Sequence, residues 1–306
     1  MKPLVLLLLT PLCACAITSH AVQPSALGVP RGSAELLAVI DLPGPVTVES
    51  VDSADWEVPL SGLLDLDDPR AKEAGLTDRP EPIQIWFHAL RHPSRGLYLV
   101  DTGVERAMRD RPEEAALRGA VARVMHFEKL KFQMPLGDWL AKAKEPLRGV
   151  FLTHLHSDHL TGMADAPAGT DVYTGPGEAA ARAFLNLFVQ PNTDRALSGK
   201  APISEWAFAA DPQGRFAGVI DIFGDGTVWA LSVPGHTPGS VAYLVRTPRG
   251  PLLLTGDTSH TRWGWDHGVA PGSFTADHPA NERSLAALQK LAAEHPALEV
   301  RLGHQR

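Results

Sequence analysis

A chain of 306 residues with 44% hydrophobic content can bury one large core or two small ones. Its formal net charge of −7 and the lack of any Lys/Arg-rich run exclude a nucleic-acid backbone as a natural partner. The two cysteines, Cys13 and Cys15, stand together near the N-terminus, so a mature domain downstream has no disulfide and no thiolate, and must hold any metal through nitrogen and oxygen.

In chain order, Met1-Lys2 supplies a short positive end, Pro3 to Leu12 an apolar core of ten residues, and small residues follow. Residues 1–16 therefore read as an export signal, too short to span a bilayer as a helix. Ala14-Cys15-Ala16 is a small-x-small cleavage site, whereas Leu12-Cys13-Ala14-Cys15 has the form of a lipobox with Cys15 as the lipidated first residue; Ser19-His20-Ala21 offers a third cut. The protein is expected outside the cytoplasm, in the periplasm or cell envelope or secreted, touching a membrane only through a lipid on Cys15.

Residues 17–33, with Pro24, Gly28, Pro30 and Gly32, read as an irregular tether, and 34–306 as a single folded domain. Ala34–Val51 and Trp56–Leu64 suit short strands joined by turns. Ile83–Leu90 and Leu97–Val100, parted by a turn over His92–Gly96, predict a hairpin that ends in Asp101-Thr102-Gly103. There Asp101 either caps a helix from Val104 onward or orients a neighbouring ligand loop. Glu105–Met125 reads as largely helical with a break at Pro112. His126–Phe132 reads as an amphipathic connection burying Phe127 and Phe132, with a substrate lid as the other reading.

The strand Leu147–Phe151 then delivers Leu152-Thr153-His154-Leu155-His156-Ser157-Asp158-His159, followed by a short helix. His154 and His156 lie two apart and point to one side of an extended backbone, while Asp158 and His159 follow on the turn. Such a crowd of imidazole and carboxylate groups suits zinc or another divalent first-row ion. Further on, Asp171–Thr174 reads as a strand and Gly177–Val189 as a helix with Phe184, Leu187 and Phe188 in the core, while 191–209 reads as a polar insertion near the site mouth. Thr227–Val233 feeds Pro234-Gly235-His236-Thr237-Pro238-Gly239, where a His between Gly and Pro has little room to be core. Leu252–Leu254 delivers Thr255-Gly256-Asp257, Asn281–Ala293 carries Leu285, Leu288 and Leu291 at helical spacing, and Leu298–Leu302 ends in Gly303-His304.

Taken in order at strand ends, His154, His156, Asp158, His159, His236, Asp257 and His304 resemble the metallo-β-lactamase-fold hydrolases, over the chain from about residue 80 to its end. The resemblance implies an α+β fold, a four-layer αββα sandwich with two metals at one edge. It implies that His154, His156 and His236 hold one ion, that Asp158, His159 and His304 hold the other, and that Asp257 bridges them. The ions would be two divalent cations, zinc first, with Fe, Mn or Co as alternatives, and a water shared between them would be acidified to hydroxide that attacks an ester. Catalytic roles fall to Asp158 and Asp257.

The bridging Asp257 points away from lactam hydrolysis and towards lactonases, glyoxalase II-like thioesterases and organophosphate hydrolases. N-acyl homoserine lactonases place a tyrosine three residues after that aspartate, whereas this chain has His260, more like the methyl-parathion-hydrolase-like group. His260 would donate a proton to a leaving alkoxide or serve only to support the site. Trp263 and Trp265 would stand beside the metals and wall an apolar pocket, or seal the edge of the core. No basic segment suits a glutathione carboxylate. The expectation is an exported hydrolase of a small-molecule ester, a lactone first and a phosphotriester or aryl ester second; a metal-binding envelope protein without turnover is the contrasting class.

Overall fold

The hairpin expected from Ile83–Leu90 and Leu97–Val100 is the centre of the first of two large sheets, with Pro80–His92 pairing antiparallel to Gly96–Val100; a small third sheet pairs Cys15–Ala16 with Arg182–Ala183. The computed structural model describes residues 15–183 and 186–305; residues 1–14 of the expected export signal over 1–16, and Phe184, lie outside the described residues. Across the first sheet the strands run Val22–Pro24, Ile203–Glu205, Asp171–Thr174, Leu147–Phe151, Gly96–Val100, Pro80–His92, Thr47–Pro59 and Lys131–Phe132. The second runs Glu299–Arg301, Gly250–Leu254, Val241–Thr247, Val228–Ser232, Val219–Asp221 and Val29–Arg31.

Side chains alternate across each strand, so one set of strands supplies two cores. Val100 and Phe151 of the first sheet meet Val228, Ala230, Val241, Tyr243 and Leu254 of the second in the seam between the sheets. Leu97, Leu99, Val150 and Val172 face the other way, under the helix Leu136–Ala143 and the segment around Leu155, Leu160 and Met163. Trp229, Leu231, Ala242 and Leu244 likewise face outward, covered by Leu285, Leu288 and Leu291 of the helix His278–Glu294 and by Leu36 of Ser33–Leu37. The result is the four-layer αββα sandwich. Each large apolar side chain fully buried in these layers contributes about 1.5–3 kcal/mol. No helix among the described residues is long and apolar enough to cross a membrane.

Several expectations are corrected. Residues 17–33 are not an irregular tether: Val22–Pro24 pairs parallel with Ile203–Glu205, Val29–Arg31 pairs antiparallel with Val219–Asp221, and Ile17 is buried. Pro24 and Pro30 are tolerated because both strands lie at sheet edges, where a missing N–H breaks no central ladder. Ala34–Val51 and Trp56–Leu64 hold a short helix and then one 13-residue strand, Thr47–Pro59, whose alternation is hidden by a register shift between Asp52 and Ala54. Glu105–Met125 contains only Ala107–Asp110 and Ala120–Val124 as helix, because Pro112 and the left-handed Gly119 break it and the Glu105 carboxylate takes the Ala116 N–H. The expected Gly177–Val189 helix is displaced to Asn186–Ala196, and its Leu187 and Phe188 are 43% and 57% exposed rather than core.

Candidate metal centre

Five strand ends deliver the site to one edge of the sandwich. Val100 pairs parallel with Phe151, so Asp101 and the 152–159 loop leave the first sheet side by side. In the second sheet Ser232 pairs with Val241, which makes the segment carrying His236 a hairpin tip; Tyr243 pairs with Leu254 and Leu254 with Arg301, which sends Asp257 and His304 off the same edge. The edge is stitched across the sheets by the Val241 N–H donating to the Thr153 carbonyl at 2.9 Å and the Gln84 N–H donating to that of His304 at 3.0 Å.

The side chains gather into two groups that share Asp257: His154, His156, His236 and Asp257, and Asp158, His159, Asp257 and His304, with the ligand atoms of each group within 4.8 Å of one another. In the first, His236 Nε2 and His156 Nδ1 face each other at 2.9 Å, and Asp257 Oδ2 is 3.5 Å from His236 Nε2 and 3.7 Å from His154 Nε2. In the second, Asp257 Oδ1 is 3.3 Å from His159 Nε2, and His304 Nε2 is 3.3 Å from both Asp158 Oδ2 and Asp257 Oδ2. Metal–nitrogen bonds of about 2.0–2.1 Å in tetrahedral geometry set neighbouring donors roughly 3.3 Å apart, so these spacings suit a cation in each group.

The residues fit such a group on a second count. His154 Nε2, His159 Nε2 and Asp257 Oδ1 are buried without a hydrogen-bond partner, a cost of about 1–3 kcal/mol apiece that coordination would remove. The far ring nitrogens of His159 and His304 are held from behind. His159 Nδ1 donates to Asp101 Oδ2 at 2.8 Å and His304 Nδ1 to the Gln84 carbonyl at 2.9 Å, the outer contacts that fix tautomer and orientation in a metal-ligating imidazole.

Electrostatics divide the two groups. Burial, reinforced by the neighbouring imidazoles, holds His154 and His236 well below the ordinary histidine range, so both stand neutral and ready to ligate. Burial also opposes charge on His159 and His304, yet Asp257 with Asp101 and Asp158 outweighs it at His159, which stands well above that range, and Asp257 with Asp158 pushes His304 up to about 10. Those imidazoles in turn drag Asp257 and Asp158 down against their own burial.

The model of the metallo-beta-lactamase superfamily matches residues 81–304, which include every one of these donors. The chain belongs to that superfamily. It is 30% identical over 170 residues to the N-acyl homoserine lactonase AttM of Agrobacterium fabrum, covering 51% of this chain and 57% of that protein. The AttM lactonase of Azorhizobium caulinodans is 32% identical over 171 residues, with the same coverage of 51% and 57%. The chain thus spans little more than half the length of these relatives. The solved structure of AidC, a dizinc quorum-quenching lactonase in complex with a product, shares the fold at a TM-score of 0.57 and 14% identity, covering 92% of each chain.

Around this metallo-β-lactamase-superfamily cluster the other candidates separate. Asp101, held at φ +56°, does not cap a helix: its Oδ1 accepts the Thr153 N–H at 2.8 Å, and its Oδ2 accepts His159, so it orients the ligand loop. His260 is buried among the donors, with Nε2 3.0 Å from Asp257 Oδ2 and Nδ1 donating to the Leu63 carbonyl at 3.1 Å. The two tryptophans do not wall a pocket. They lie on the helix Arg262–His267, which puts Trp265 in the core beneath the second sheet with Leu285 and Leu288, while Trp263 stacks on His267 with ring centroids 4.1 Å apart. Sequence reasoning missed Glu178, a buried carboxylate beside the ligand loops; a Glu in a Gly-Pro-Gly-Glu turn carries no pattern that separates it from a solvated one.

Proposed function

We propose that this chain is an exported hydrolase that uses two divalent cations, zinc first, to open a small-molecule ester, a lactone first. The observation that carries the reading is the convergence of seven His and Asp donors from separate strand ends into two groups sharing Asp257. Likeness to proteins named N-acyl homoserine lactonases supports a lactone, and likeness to a dizinc lactonase supports zinc. The apolar segment Pro3 to Leu12 supports export.

His154, His156 and His236 would hold one ion, Asp158, His159 and His304 the other, and Asp257 both. When bound, such a pair acidifies a water towards neutral pH and polarises an ester carbonyl. The protein's own part is to admit and orient the substrate. Among the donors His156 and Asp158 are the partly exposed ones, so the ester approaches on their side. The Asp158 carboxylate, its side chain 15% exposed, is placed to take the proton released by the attacking water and hand it to the leaving alkoxide as the ring opens. His260 has no such access, since both its nitrogens face oxygen acceptors inside the protein, and its task is to steady Asp257.

The test is a panel of lactones, phosphotriesters, aryl esters and β-lactams offered to metal-loaded protein. Close to two metal equivalents with lactone hydrolysis abolished by chelation is the expected result. Preference for a phosphotriester or aryl ester would move the chain to the second branch, and bound metal without turnover of any ester would sink the enzymatic reading.

A further inference from the structure

We infer that Glu178 is a positioning residue for one half of the metal centre, its single carboxylate setting the distance between the loop that carries His154 and His156 and the loop that carries His236. The inference rests on the reading of the seven donors as a metal centre. Glu178 is buried, and its two oxygens serve two different loops: Oε1 accepts the Leu155 N–H at 2.9 Å, and Oε2 accepts the Gly239 N–H at 3.0 Å. Leu155 lies between His154 and His156, and Gly239 lies three residues beyond His236. These loops leave different sheets and share no strand ladder; the Val241 N–H to Thr153 carbonyl bond joins them at their bases, and the Glu178 carboxylate joins them nearer the donors.

Backbone packing brings the carboxylate to this place. A Cβ on Gly175 would collide with the Gly239 carbonyl, and a Cβ on Gly239 would come within 2.5 Å of Glu178 Cβ, so the turn bearing Glu178 presses directly on the His236 hairpin. Burying a carboxylate costs several kcal/mol, and an apolar side chain would fill the space more favourably. What an apolar side chain lacks is two acceptors that take an N–H from each loop together. Asp101 performs the matching task on the other half, through Thr153 and His159. Two carboxylates outside the cage therefore divide it, Asp101 behind the ion of His159 and Glu178 behind the ion of His154, His156 and His236.

Full-length protein stripped of metal and titrated with zinc against a chromophoric chelator tests this. Wild type should take up two equivalents. Glu178→Ala should keep one at wild-type affinity and bind the other about tenfold to a hundredfold more weakly. Glu178→Gln, which retains one acceptor oxygen, should fall between. Adding His304→Ala to Glu178→Ala should remove the retained ion, whereas adding His236→Ala should not. Wild-type affinity at both sites, or equal weakening of both, in whichever Glu178 variant folds would overturn the inference. Wild type failing to bind two equivalents would instead overturn the reading of the centre on which it depends.

Discussion

Asp257 is the side chain on which both halves of the cluster depend, because its two oxygens face different imidazoles. Asp257→Ala should reduce metal uptake to fewer than two equivalents and slow hydrolysis by about a hundredfold or more, read from metal analysis and initial rates. His260→Tyr tests its neighbour: a steadying role predicts weaker metal retention and no gain in homoserine-lactone turnover, and a gain would return this position to substrate contact. Glu105, outside both donor groups, gives a separate pH signature. Burial raises its carboxyl from 4.5 to about 7, so the folded chain binds that proton more tightly than the unfolded chain. Its stabilising contribution is complete below pH 4.5 and is lost as pH rises through about 7, a change of about 3 kcal/mol. Glu105→Gln should therefore flatten the fall in denaturant midpoint between pH 5 and 7; an unaltered slope would contradict the assignment. The ligands themselves were legible because His, Asp and Gly at strand ends are rare in that order. Asp101 was legible as one of two readings, and only its contact with His159 decided between them.

The segments at the N-terminal side show how element and function are joined. Val22–Pro24 and Val29–Arg31 extend one sheet each, so deleting residues 17–33 should lower stability by about 3 kcal/mol or more rather than leave it unchanged as a tether would. Thermal melts of the truncated and full chains measure the difference. The long strands and hairpins could be read because their apolar runs are bounded by turns, and His278–Glu294 because Leu285, Leu288 and Leu291 repeat at helical spacing. The region from Glu105 to Met125 could not, since its helical propensity yields to a buried hydrogen bond between Glu105 and Ala116 that joins residues eleven apart. Trp263 and Trp265 misled for a related reason. Their nearness in sequence to Asp257 suggested nearness in space, but the helix they sit on turns Trp265 under the second sheet.

Across the whole centre, the metal-free chain carries neutral imidazoles on one side and protonated ones on the other. Ligation requires the proton to leave, so zinc binding should release protons from His159 and His304 and should weaken as pH falls below about 10. Calorimetry in two buffers of different ionisation enthalpy reads the release directly, and buffer-independent heats would count against it. Metal held at a hundred times its dissociation constant adds about 2.7 kcal/mol per ion, so chelation should lower Tm by roughly 5–10 °C. The identities of the donors and their order along the chain were written in the sequence, because covalent spacing confines His154 to His159 to one short loop and strand-then-glycine patterns mark the other tips. Folding alone brought the donors into two groups around Asp257, left His156 and Asp158 partly exposed, buried His260 behind Asp257 and set Glu178 between two loops. Those outcomes depend on how two sheets lie against each other and on backbone N–H groups finding acceptors across that seam, and neither leaves a period or spacing in the order of residues.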